Sequence, residues 1–128
     1  MIKPEAIEAG LQGQIMDLVL RNGFRIARMK QFAFKREQAE DFYGVHRGKP
    51  FFGALIEYIT SGDVIGMELL RKDAVSMTRE LVGATDPSEA RPGTIRSMYG
   101  TSLQANAVHA SDSPESAEKE LAIVFGED

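Results

Sequence analysis

Three observations predict an α+β sandwich, with helices packed on a sheet, for this 128-residue chain. Two runs over 24–34 and 64–70 have strand character, and helical spacing fills most of the remainder. The order reads strand, helix, strand, helical pair, strand, helix, long loop, strand, helix. A hydrophobic content of 43% beside 27% charged residues is that of a chain with a core, and at this length about two thirds of the unfolded surface is buried on folding.

The elements follow in order. The opening residues Ile2, Lys3 and Pro4 lead into Gly10 to Asn22, where Leu11, Ile15, Leu18 and Val19 lie on one helical face and Asn22-Gly23 supplies the stop. Phe24 to Phe34 alternates imperfectly, but its aromatic and β-branched content favours a strand. Arg36 to His46 and Pro50 to Ser61 read as helices joined by the turn Arg47 to Pro50; in the second, Phe51, Leu55 and Ile59 recur every four residues. Gly62-Asp63 breaks the chain before the apolar run Val64 to Leu70, a mostly buried strand. Lys72-Asp73 opens a helix that runs to Val82-Gly83. Ala84 to Gly100, rich in Pro, Gly, Ser and Thr, is expected to be a long connection with little regular structure. A short strand near Ala107 to His109 and a helix from Ser113 to Phe125 complete the chain.

Composition excludes several functions. With no cysteine there is no disulfide, thiol nucleophile or thiolate metal site, and two histidines offer little for zinc. A net charge of −4 argues against a protein that coats nucleic acid. An anionic ligand would have to meet a local cluster of cations instead. No apolar run reaches the roughly 18 to 20 residues that span a bilayer, and the first ten residues lack the pattern of a secretion signal; no membrane partner and a cytoplasmic location are expected.

The stretch NAVHASDSPE concentrates chemistry. Pro114 suits the first helical position, which makes Ser113 the N-cap, and His109 stands just before it. In the following helix Glu120 lies on the side of Ala117, Leu121 and Val124, where a carboxylate needs a partner. His109 is one such partner, and the pairing would fix the imidazole tautomer and sharpen its other nitrogen as a nucleophile. The same pattern equally describes a capped loop, an ordinary histidine and a glutamate that bends to solvent. Arg79 leans towards an apolar face from which arginines often reach water. Arg96 falls in the long loop, where side chains are ordinarily solvated. Tyr43 and His46, three apart, serve packing as readily as binding, and Phe51-Phe52 after Pro50 ordinarily belongs to a core.

Taken in order, IKPEAIEAGLQGQI, FYGVHRGKPFFGALIEYITSG, GATDP, RPGTIR, YG and NAVHASDSPESAEKE resemble the nucleoside diphosphate kinase family over essentially the whole chain. The most specific element is Asn106, His109, Ser111, Asp112 and Ser113. The resemblance implies one domain over residues 1–128 with a ferredoxin-like βαββαβ antiparallel sheet, assembled as a hexamer or tetramer of dimers. It implies transfer of the terminal phosphate of a nucleoside triphosphate to a nucleoside diphosphate through a phosphohistidine, with Mg²⁺ carried by the nucleotide. His109 would be the nucleophile, Glu120 would hold its other nitrogen and Ser111 would support the carboxylate. Arg79, Thr85 and Arg96 would hold phosphates with Tyr43 and His46 nearby. Lys3 and Asn106 would bond the sugar hydroxyls, and Phe51 and Leu103 would sandwich the base.

Ala110, Ser97-Met98 and Leu103 depart from the residues frequent at those places, and none removes a catalytic group. The family has several more apolar residues before Ile-Lys-Pro, so the first strand is expected to be abbreviated, Lys3 frayed and the sugar site weakened. A catalytically weak nucleotide-binding or scaffolding domain of the same fold is the rival reading. A metal-dependent hydrolase using His46 and His109 has too few ligands.

Overall fold

A computed structural model describes residues 1–126. Its elements are α1 (Pro4–Glu8), α2 (Gln12–Arg21), β1 (Arg25–Phe32), α3 (Arg36–Phe42), α4 (Phe52–Ile59), β2 (Val64–Leu70), α5 (Ala74–Val82), α6 (Ile95–Tyr99) and α7 (Pro114–Phe125). Single 3₁₀ turns at Gly44–His46 and Pro87–Glu89 join them.

β1 and β2 pair antiparallel, from Arg25 opposite Leu70 to Phe32 opposite Val64. Beyond β2 the sheet continues only as bridges: Ile2 pairs antiparallel with Ile65 on one side and with Val108 on the other. Successive residues of β2 point to opposite faces, so Val64 joins a core with Phe34, Phe42, Leu55, Ile59 and Val124, while Ile65 joins Ile2, Ile15, Val82, Ile95 and Val108. Helices α3, α4 and α7 therefore cover one face, and α1, α2, α5 and α6 the other. Gly66 lets α7 come close: a Cβ there would stand 2.5 Å from Val124 Cγ1.

The mixed helix and strand content with an antiparallel sheet agrees with the expected class, and three expected details change. The strand expected over 107–109 shrinks to the Val108 bridge, because Ala107 turns the chain with a φ of 76°. The opening strand is short, in line with the expectation: it is one bridge at Ile2, and Pro4, a good first helical residue, starts α1 immediately after it. The connection 84–100 is not structureless. Asp86 caps a 3₁₀ turn through Ser88 N–H, and Thr94 caps α6 through Ser97 N–H. Lys3 is not frayed: it is 6% exposed, its N–H bonds the Ala107 carbonyl at 2.9 Å, and Pro4 beside it is buried.

Candidate active site

The site forms where the Val108 bridge, the start of α7, the end of α5 and α6 meet. Ser113 adopts extended backbone and its hydroxyl accepts from Ser116 N–H at 3.0 Å, with Pro114 at the first helical position. This cap fixes where α7 begins, and two turns later Glu120 points back at His109. Glu120 Oε1 lies 2.7 Å from His109 Nε2 and accepts from Ser111 Oγ at 2.7 Å. The side chains are 22% and 16% exposed, so the pair is shielded but reachable.

An ionised carboxylate only accepts, so Nε2 carries the proton and the lone pair of the neutral ring sits on Nδ1. Among the described residues, Nδ1 makes no hydrogen bond. Burial lowers the His109 pKa, and it does so against the bond and charge of Glu120, which pull the other way. Burial alone would raise Glu120, but the hydrogen bonds and charge of His109, with Ser111 added, outweigh it and leave the carboxyl below its usual range. Both shifts favour the state in which the imidazole is neutral and the carboxylate ionised. The ring is wedged edge-on against Phe42 and Tyr43, with centroids 4.9 and 5.5 Å away.

Cations converge on the same region despite the negative net charge. Arg96, expected in a loop, stands on α6 and is only 6% exposed. It donates from one terminal nitrogen to the Gly83 carbonyl at 3.1 Å and from the other to the Val108 carbonyl at 2.9 Å, and among the described residues its buried Nε has no hydrogen-bond partner. Burial and the neighbouring Arg79 lower it to about 10. Arg79 itself is exposed at the end of α5 and reaches the Ala110 carbonyl at 3.4 Å. Lys3 donates to Asn106 Oδ1 at 2.8 Å and the Gln104 carbonyl at 3.2 Å; burial first, then Arg96, lowers it to about 8. Like charges held together at such cost are an electrostatic vacancy for an anion.

The structure brings most of the sequence-predicted residues together. Asn106 is buried, and its amide donates to the carbonyls of Thr85 and Leu103 at 3.0 and 3.1 Å, so it ties two loops to Lys3. Thr85 is exposed, and among the described residues its hydroxyl makes no hydrogen bond. Tyr43 is buried with its hydroxyl unpartnered, a setting that raises its pKa through desolvation. His46 stacks on Tyr43, lies 5.3 Å from the Phe51 ring and has Nδ1 3.3 Å from Lys49 Nζ; burial first and then Lys49 lower its pKa. Phe51 is not core: it is 48% exposed, and Leu103 is 64% exposed on another loop. Ala110 has no positive φ, so it stands without strain after His109.

A cavity of about 120 Å³ is lined by His109, Ser111 and Glu120 together with Met67, Leu121, Val124 and Phe125. Lys3, Arg79 and Arg96 are not among its lining residues. Sequence reasoning missed Phe42, which packs on the nucleophile, Lys49, which meets His46 and Phe51, and Glu5, whose Oε2 accepts from the Ala107 N–H at 2.8 Å. The signal for Glu5 was Pro4 as a helix start, which puts an acid in the first turn of α1.

A shielded neutral imidazole, pinned at one nitrogen and unbonded at the other, with arginines on the carbonyls of the residues before and after it, defines a histidine-centred site suited to an anionic substrate. The sequence model of the family nucleoside diphosphate kinase matches residues 1–128, and this chain belongs to that family. The nucleoside diphosphate kinase of Archaeoglobus fulgidus is 48% identical over the whole chain and 85% of its own length, and that of Staphylothermus marinus 49% over the whole chain and 91% of its own. Among solved structures, the Aquifex aeolicus nucleoside diphosphate kinase superposes with a TM-score of 0.94 at 46% identity, covering 97% of this chain and 90% of that one. The Halobacterium salinarum nucleoside diphosphate kinase in complex with CDP gives 0.94 at 38% identity, covering 99% and 84%.

Proposed function

We propose that this chain moves the terminal phosphate of a nucleoside triphosphate to a nucleoside diphosphate in two half-reactions, with His109 Nδ1 as the nucleophile. One observation carries the reading: Nε2 is held by Glu120 at 2.7 Å, Nδ1 makes no hydrogen bond among the described residues, and Arg79 and Arg96 hold the carbonyls of Ala110 and Val108 on either side of His109. The Nδ1 lone pair attacks the terminal phosphorus, the bond from phosphorus to the bridging oxygen breaks, and the nucleoside diphosphate leaves with that electron pair. No base is needed, because the attacking nitrogen carries no proton. The ring becomes a phosphorylated imidazolium whose positive charge the Glu120 carboxylate stabilises. A second nucleoside diphosphate then takes the phosphoryl group by the reverse path, which gives ping-pong kinetics.

In this reading Arg79, Arg96 and the Thr85 hydroxyl bind the phosphates, where charge develops on the equatorial oxygens. Arg96 also braces Val108, the residue before the nucleophile. Lys3 and Asn106 meet the sugar, Tyr43 and His46 line the approach, and exposed Phe51 and Leu103 contact the base. The substrate is a magnesium nucleotide. In the family reading Mg²⁺ would arrive with the nucleotide and would supply further charge stabilisation to the phosphates. We read the sheet order Val108, Ile2, β2, β1 as a ferredoxin-like βαββαβ sheet in one domain over 1–128. Assembly from dimers into a tetramer or hexamer and a cytoplasmic location come with the family reading.

Incubation with γ-labelled ATP and Mg²⁺ tests it. An acid-labile, alkali-stable label that disappears in His109→Ala and passes to added nucleoside diphosphate is expected; folded wild-type protein that takes no label overturns the reading in favour of a nucleotide-binding domain.

A further inference from the structure

Two residues before His109 the backbone adopts a conformation that alanine rarely takes. Ala107 has a φ of 76°, and the Val108 N–H donates to the Asn106 carbonyl at 3.0 Å, closing a γ turn around it. A γ turn with positive φ at its centre is the rarer and more strained of the two forms. Such strain persists only where the surroundings over-determine it.

The surroundings here are specific. Both polar groups of Ala107 are captured by the same short segment: Glu5 Oε2 accepts its N–H at 2.8 Å, and the Lys3 N–H donates to its carbonyl at 2.9 Å. The other Glu5 oxygen accepts from the Tyr58 hydroxyl of α4. Ala107 is wholly buried, so water does not replace these partners. On one side of the turn stands Asn106, bonded to Lys3; on the other stands Val108, whose carbonyl Arg96 holds, and then His109.

We propose that Glu5 is a positioning residue for the reaction at His109. Its carboxylate, braced by Tyr58, holds the N–H of a strained alanine and so keeps the turn that presents the imidazole to Glu120 and Val108 to Arg96. It touches no reacting atom. A charged acceptor suits the task because it bonds an N–H about twice as strongly as a neutral one. This inference rests on His109 being the phosphorylated residue.

The test is the single-turnover rate of His109 labelling by γ-labelled ATP, measured together with melting temperature. Glu5→Ala slows labelling on the order of 10- to 100-fold, the scale of a misplaced reacting group. Adding Ala107→Gly restores most of the rate, because glycine takes positive φ without strain. Melting temperature stays low in that double variant, since the buried N–H still lacks a partner. Rate recovered without stability is the signature of positioning, and a merely structural Glu5 does not give it. Wild-type rate in Glu5→Ala, or a loss that Ala107→Gly leaves in place, overturns the proposal. Should Glu5→Ala not fold, Glu5→Gln serves: a neutral acceptor slows labelling about three- to tenfold, and Ala107→Gly recovers it. A Gln variant that is not slowed, or is slowed and not recovered, also overturns it. Wild-type protein that carries no label on His109 overturns the phosphotransfer reading itself and takes this inference with it; labelled wild type with an unmoved Glu5→Ala overturns the positioning role alone.

Discussion

The two ends of the candidate site are built differently. At the nucleophile end a chain of hydrogen bonds fixes the imidazole and the backbone before it: His109 to Glu120, Glu120 to Ser111, Val108 to Arg96 and Ala107 to Glu5. At the far end Phe51, Leu103, Thr85 and Arg79 are exposed, and Arg79 has one long bond to a carbonyl. Reacting groups gain from being placed beforehand, because no reorganisation is then needed in the transition state. A surface that meets a flat base through apolar contact needs no such order, and it tolerates different bases.

The largest effect that sharpens this contrast is at its centre. Under the proposed mechanism His109→Ala removes all label, and no conservative replacement of the distal residues does. Next, Glu120→Ala should slow labelling on the order of 100-fold, since it frees the ring and leaves the imidazolium unpaired. The check is single-turnover labelling with γ-labelled ATP at saturating nucleotide. If labelling at saturating nucleotide is not slowed, Glu120 takes no part in the chemical step and the contrast between the two ends fails.

The legibility of the sequence follows the same division. The His109, Ser113 and Glu120 relation was readable because a cap, a proline and a helical spacing lie within 12 residues, and local chemistry fixes local geometry. The structural settings of Arg96 and Lys3 were not readable. Arg96 is buried by α6, a helix of five residues whose only sequence sign is Thr94 as a cap in a turn-rich stretch. Lys3 is held by residues more than a hundred positions away, and no local pattern reports such a partner. Phe51 misled in the other direction: it follows a four-residue apolar spacing, yet as the N-cap of α4 it faces out. The strand expected over 107–109 failed where one residue took a positive φ. Spacing is blind to that.

At the phosphate end, Arg79→Ala should lower kcat/KM about 10- to 100-fold, the cost of one bond to a charged group. Arg79→Lys should recover little, because a point charge replaces a planar fork. Steady-state kinetics with ATP decide; an Arg79→Ala enzyme within twofold of wild type would mean that Arg96 and Thr85 suffice. At the base, Phe51→Ala should raise KM about tenfold with little change in kcat, for purine and pyrimidine nucleotides alike. A penalty confined to one base would show edge recognition at this position, and the distal surface would then be as specific as the nucleophile end.

The smallest effect is with pH, and it is read at the bonded end. His109 has a pKa below its ordinary 6.5, so the folded protein binds fewer protons there than the unfolded chain as pH falls past that value. Stability is therefore lost from the ordinary histidine value downward to the folded one. Glu120 also has a lowered pKa; its contribution is present above the ordinary carboxylate value and disappears as pH falls through the folded one. The signs agree, so acid weakens the fold and removes the nucleophile together. In kcat/KM the acid limb should lie below pH 6.5, leaving less than about a fourfold loss at pH 6. Glu120→Gln removes the charge that opposes burial, and the limb should move lower still. A limb at or above 6.5 in wild type, or one that rises in Glu120→Gln, would show that the carboxylate and not burial governs the ring.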